Sequence, residues 1–146
     1  LATAAKGSVL QVLSMSSTTA YEYSSTTYAD TDITLNITPS STSHKILVVA
    51  SLYCKAYATD YVALGVKLLR DSTAVYENSI FMQNSVNAAV NTFHNNPLTV
   101  LDAPSTTSQI TYKIQGAEAA NGSGTHQCGF GASNKPSHLT LMEIAL

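Results

Sequence analysis

Apolar and polar residues alternate with a period of two in several stretches of the chain, the spacing of strands whose two faces see different surroundings. Ile33, Leu35 and Ile37 fall on one side, with Thr34, Asn36 and Thr38 on the other. From Ile46 to Ala50 every residue is apolar, which predicts a strand covered on both faces. The residues between, Pro39 to His44, are rich in Ser and Thr and too few for a helix, so the two strands are expected to form a hairpin around a tight polar loop. A first strand is predicted over Ser8 to Met15, with Val9, Leu13 and Met15 on one face and Leu10 and Val12 on the other. Tyr21 to Ser24 suits an edge strand. Val62, Leu64, Val66 and Leu68 lie opposite Lys67, and a polar turn at Arg70 to Thr73 returns the chain as a hairpin over Ala74 to Met82. Ile110, Tyr112 and Ile114 alternate with Thr111, Lys113 and Gln115, and this run is expected to pair with Pro97 to Asp102. Ser85 to Phe93 fits strand or helix; its asparagines favour strand. The segment from Gly116 to Pro136 is irregular and Gly-rich, with room for a short strand at His126 to Phe130, and His138 to Leu146 is a closing strand apolar on both sides apart from Glu143.

About eight to ten short strands with turn signals between them and no long helix specify an all-β fold, an antiparallel β-sandwich for which a jelly roll is the preferred form. Residues 8–146 are expected to make a single sandwich domain. A chain opening on Leu1 without methionine is expected to be a fragment, a processed product or the end of something longer, with residues 1–7 the end of an upstream linker or stalk. Antiparallel sandwiches normally keep one face of each sheet wet. The runs at Val9 to Leu13, Ile46 to Ala50 and Leu139 to Ile144 are apolar on both faces. Either terminal segments of the same chain cover them or a second copy does. Assembly is the favoured reading, because each Å² of apolar surface removed from water is worth about 25 cal/mol. Val9, Leu47, Val49, Tyr53, Met142 and Ile144 are the expected interface.

Only 11% of the 146 residues are charged, the net charge is -2, and Ser and Thr make up about a quarter of the chain. With Arg70 as the one arginine, no basic face is available to track phosphates, which argues against a nucleic-acid partner. No apolar run reaches the roughly 18 to 20 residues of a membrane helix, so no membrane insertion is expected. Two cysteines, Cys54 and Cys128, are too few for a disulfide scaffold, and Cys54 continues the apolar face of its strand as a buried free thiol.

Candidate chemistry is sparse. His44, His94, His126 and His138 have no metal-binding spacing, and although His126 and Cys128 could converge on one side of a strand, no metal or cofactor is implied. No serine sits in a nucleophile elbow. Glu22, Glu77, Glu118 and Glu143 are spread over different elements, so no glycosidase pair and no catalytic residue is nominated. The positive signal is aromatic: Tyr53, Tyr57 and Tyr61 flank a turn containing Asp60. Rings beside carboxylates and amides can stack on sugars, or they can pack at a subunit interface or sandwich rim. Tyr57, Asp60, Tyr61, Asn121 and His126 are the candidate receptor-binding residues.

Several segments carry a family resemblance in their order and spacing: Gly7-Ser8-Val9-Leu10-Gln11-Val12, Ile37-Thr38-Pro39 through Lys45-Ile46-Leu47-Val48, Leu101-Asp102-Ala103-Pro104 with Tyr112-Lys113-Ile114-Gln115, and Leu139-Thr140-Leu141-Met142-Glu143-Ile144-Ala145. Together they resemble the C-terminal domains of bacteriophage tail-fibre and other virion-surface proteins, similar in architecture to the trimeric jelly rolls of the C1q and tumour-necrosis-factor type. The resemblance implies a non-enzymatic, homotrimeric knob on a virion surface. Its partners would be its own copies, other virion proteins and a host-surface glycan or protein. It supplies no catalytic residues. A capsid-surface decoration or collar protein with a purely structural role is the alternative, and a polysaccharide depolymerase would require paired carboxylates in a groove.

Overall fold

The computed structural model describes residues 7–85, 90–122, 124–131 and 134–145. The described residues form ten strands: β1 (Ser8–Ser17), β2 (Tyr21–Tyr23), β3 (Ala29–Ile37), β4 (Lys45–Ala58), β5 (Val62–Arg70), β6 (Thr73–Asn84), β7 (Val90–Asp102), β8 (Ile110–Asn121), β9 (His126–Phe130) and β10 (Ser137–Ala145). Every pairing is antiparallel. They make an all-β sandwich of two sheets. In the first, the long strand β4 pairs with β7 along one edge and with β10 and β9, end to end, along the other; β1 lies outside β10 and β2 outside β9. The second runs β3-β8-β5-β6.

Alternation decides which side chains meet between the sheets. Ile46, Val48, Leu52, Leu139 and Leu141 of the first sheet are fully buried against Ile33, Ile37, Leu64, Leu68 and Ile114 of the second. Cys54 and Cys128 are free thiols in this core. The β5–β6 hairpin forms as the alternation predicts, turning on Asp71 at a φ of 52°, a left-handed conformation that aspartate tolerates. The strand expected at His126 to Phe130 is β9.

Two expected hairpins are not hairpins. β3 pairs with β8 and β4 with β7, β10 and β9, so the Pro39 to His44 connection carries the chain from one sheet to the other. Likewise β7 pairs with β4 while β8 pairs with β3 and β5, and the connection through Ala103 and Pro104 also changes sheets. Strand periodicity fixes which face is buried but carries no signal for the pairing partner. Within 85–93, residues 86–89 lie outside the described residues; Val90 to Phe93 belong to β7, which is much longer than the expected Pro97 to Asp102. Pro97 is tolerated there because β7 is an edge strand bonded to β4 alone.

The first strand also departs from simple alternation. The β1–β10 register slips between Val9 and Gln11, a bulge at Leu10. Val9 and Val12 consequently point the same way, opposite Ile144 and Met142, instead of to opposite faces. Leu13 and Met15 pack inward against the core.

Gly7 donates its amide to the carbonyl of Ala145 at 2.5 Å, so β1 begins where β10 finishes. We call this end proximal. It also carries the 38–44, 71–72 and 103–109 connections, while 59–61, Gly122, Gly124 and Thr125 lie at the distal end.

Candidate functional site

Two features stand apart from the core: the outer face of the first sheet and a polar cluster at the distal end. The outer face follows from register. Directly opposed residues in an antiparallel pair project from the same side, and the even residues of β4 are buried inward while its odd residues point out. Val12 therefore lies beside Met142, Met142 beside Leu47, and Leu47 beside Leu101, a row of four apolar side chains crossing four strands. Val9 and Ile144 sit on one side of this row and Val49 on the other. Val9, Val12 and Leu101 are 51%, 55% and 52% exposed. Lys45, opposite Ile144, is a charged side chain at the margin. Further along the same face, Tyr53 stacks on Phe93, with centroids 5.9 Å apart and planes 17° from parallel.

The six residues expected at an interface, Val9, Leu47, Val49, Tyr53, Met142 and Ile144, thus share one outward face. Val12, Leu101 and Phe93 belong to it as well. The bulge hid Val12, and the missing β4–β7 pairing hid the other two.

At the distal end the turn after β4 is bound to the connection before β9. Thr59 donates its amide to Thr125, Gly122 to Tyr61, and Gly124 to the Asp60 carboxylate at 2.9 Å. Asp60 also accepts the Tyr61 amide at 2.7 Å. Asn121 donates to buried Glu118 at 2.5 Å and lies 3.2 Å from His126 Nε2. Asp60, Tyr61, Asn121 and His126 are brought together here. Tyr57 projects instead from the outer sheet face, opposite Gln127 and Asn91.

The carboxylates go to separate networks. Glu22 pairs with Lys55 and Gln127, Glu77 with Lys67, Glu118 with His126, and Glu143 with His44. Among the described residues no three His, Cys, Asp or Glu side chains converge as metal ligands. His126 and Cys128 do lie on one strand, but the Cys128 thiol faces the carbonyls of Tyr23 and Ala63. Burial first, with the nearby Glu118 charge second, pushes that thiol up to about 12. The strongest electrostatic constellation was read from the sequence only as an interruption in an apolar strand. Glu143 is 1% exposed, and it accepts hydrogen bonds from Gln11 Nε2, the Ser40 amide and hydroxyl (each 2.7 Å) and His44 Nδ1 (2.8 Å). Burial alone would raise this carboxyl, yet the His44, Ser40 and Gln11 hydrogen bonds hold it down at about 2.

No protein-family model matches the chain. No curated protein matches it. Among solved structures it is similar to one described as the structure of infectious bursal disease virus Gx strain, at 13% identity and a TM-score of 0.47, over 93% of this chain and 36% of that one. The chain thus spans about a third of the length of that protein.

Proposed function

We propose that this chain is a non-enzymatic structural module of a virion, a jelly roll that assembles as a homotrimer through the outer face of its first sheet and serves as a capsid-surface decoration or collar. The observation that carries the reading is the apolar row Val12, Met142, Leu47 and Leu101, widened by Val9, Ile144 and Val49. Soluble monomers rarely leave apolar patches beyond a few hundred Å² in water. At about 25 cal/mol per Å², covering such a patch favours lasting association. The jelly-roll form is supported by the strand order, β1-β10-β4-β7 against β3-β8-β5-β6, in which the chain alternates between sheets as two interleaved Greek keys do. The number three and the viral setting come from the sequence resemblance.

The fibre-knob reading, with Tyr57, Asp60, Tyr61, Asn121 and His126 binding a host glycan or protein, draws support from four of these residues sharing the distal end. Against it, Asp60 and Asn121 spend hydrogen-bonding capacity inside the cluster, where they hold the loops. Sedimentation equilibrium tests the main reading. Wild type is expected at three times the 15.4 kDa chain mass, and Met142→Lys or Leu47→Lys at the monomer mass. A wild-type monomer would refute it. Binding to empty capsid shells with no signal on a glycan array supports decoration; the reverse supports the knob.

A further inference from the structure

Asn121 closes β8 and is followed by Gly122, and it alone among the chain's asparagines precedes a glycine. Such a pair is chemically unstable. Glycine has no side chain to screen its backbone nitrogen, and that nitrogen can attack the amide of a preceding asparagine, a residue counted among the thermolabile ones. In this step the Gly122 nitrogen bonds to Asn121 Cγ and gives up its hydrogen, the Cγ–Nδ2 bond breaks, and Nδ2 departs with that hydrogen as ammonia. Water then opens the five-membered imide to aspartate, or to isoaspartate, in which the main chain runs through the side chain. No oxidant or reductant is needed.

The fold both requires this pair and restrains it. A Cβ at position 122 would overlap the Asp60 carboxylate, so the distal turn needs glycine there. Asn121 is needed for another reason: its Nδ2 donates to Glu118 Oε1 at 2.5 Å, and Glu118 is buried. That bond draws the side chain back toward residue 118, away from the nitrogen of residue 122. The Gly122 amide is committed to the Tyr61 carbonyl at 2.8 Å, and Asn121 pairs with Val62 in extended backbone, which lacks the twist that closing a five-membered ring demands. Ring closure therefore waits on local opening of the distal end. Asn121 is exposed, so water reaches the imide once it forms.

We propose that Asn121 and Gly122 form a site of spontaneous, irreversible modification, restrained by the distal hydrogen bonds and unable to remake them once converted. Either product sets a carboxylate against Glu118 Oε1 where a donor stood, and a buried acceptor that loses its donor is costly. Isoaspartate also lengthens the main chain by a methylene, just before the Gly122 bond to Tyr61. The pair thus records how often the end that carries Asp60, Tyr61 and His126 has opened.

Peptide mapping of the intact chain, aged at mildly alkaline pH, tests the site. The mass gain of NH2 replaced by OH, with part of the product as isoaspartate, is expected at Asn121 and about tenfold slower in native buffer than in urea; Glu118→Ala should recover most of that factor in native buffer. Amide hydrogen exchange reads the consequence. In Asn121→Asp, at one fixed pH and corrected for intrinsic exchange, protection of Thr59 and Gly122 should fall about tenfold, while Asp71, bonded to Thr111 at the proximal end, stays constant. No gain at Asn121, equal rates with and without urea, a wild-type rate in Glu118→Ala, wild-type protection in Asn121→Asp, or an equal fall at Asp71 would overturn the proposal. Should a variant fail to fold, the urea contrast decides the restraint, and aged wild type, separated from fresh chain by its added charge, decides the consequence.

Discussion

Glu143 is the residue on which the proximal end depends. Four donors from β1 and the 38–44 connection converge on one carboxylate of β10 in the core, so its charge ties three parts of the chain together. Its depressed folded-state value of about 2, against an ordinary 4.5, fixes the sign of the pH effect. The stabilisation is fully present above about pH 5 and is lost as pH falls through about 2, below which folded and unfolded chains are both protonated. Glu143→Gln is expected to cost about 2 kcal/mol at neutral pH, with the gap to wild type closing as urea unfolding is repeated toward pH 2. A gap that persists at low pH would place the loss in packing instead of charge. Alternation already placed this residue: Leu139, Leu141 and Glu143 are two apart, so Glu143 had to share their buried face. The same parity from Ile110, Tyr112 and Ile114 leads to buried Glu118. What the sequence could not show is which groups would meet these carboxylates, because Gln11 and Ser40 reach Glu143 from far away along the chain and His126 reaches Glu118 from a strand of the other sheet.

At the scale of elements, faces were legible and partners were not. The inward and outward sides of β3, β5 and β8 follow from period two, whereas β3 with β4 and β7 with β8 look like hairpins in sequence and lie in different sheets. One close approach does fix a partner. Gly129 of β9 sits against the backbone of Tyr21 and Glu22 in β2, and a Cβ there would overlap the Tyr21 carbonyl. Gly129→Ala should therefore push β2 away from β9 and expose Tyr23, whose ring packs edge-on against Phe130. The expected cost is about 2 kcal/mol in urea unfolding, with faster exchange of the β2 amides. Unchanged stability would mean that β2 shifts at no cost.

For the molecule as a whole, the two sheets are clamped at the proximal end by a cluster that spans them. Arg70 of β5 donates to both oxygens of Asp102 in β7, at 2.8 and 2.7 Å, and Tyr112 of β8 donates to the same carboxylate at 2.6 Å. Tyr112 is fully buried, and Asp102 is 11% exposed. Removing one partner of such a pair leaves the other charge without its counterion, so Asp102→Ala should cost about 3 kcal/mol and Tyr112→Phe about 1 kcal/mol. Both losses are expected within a single cooperative denaturation transition, since the sheets share one core. A second transition would show that the sheets unfold separately.

The pairing of β1 with β10 joins Ser8 to Ala145, nearly the full span of the chain. During synthesis β1 leaves the ribosome early and must wait until residues 137–145 follow before its hydrogen bonds are made. Until then β4 lacks its β10 neighbour too, and Val9, Leu47 and Val49 emerge on nascent strands with open edges. Chains translated side by side on one messenger would be crowded at that stage, and the face proposed for assembly would then be the one most prone to premature clumping.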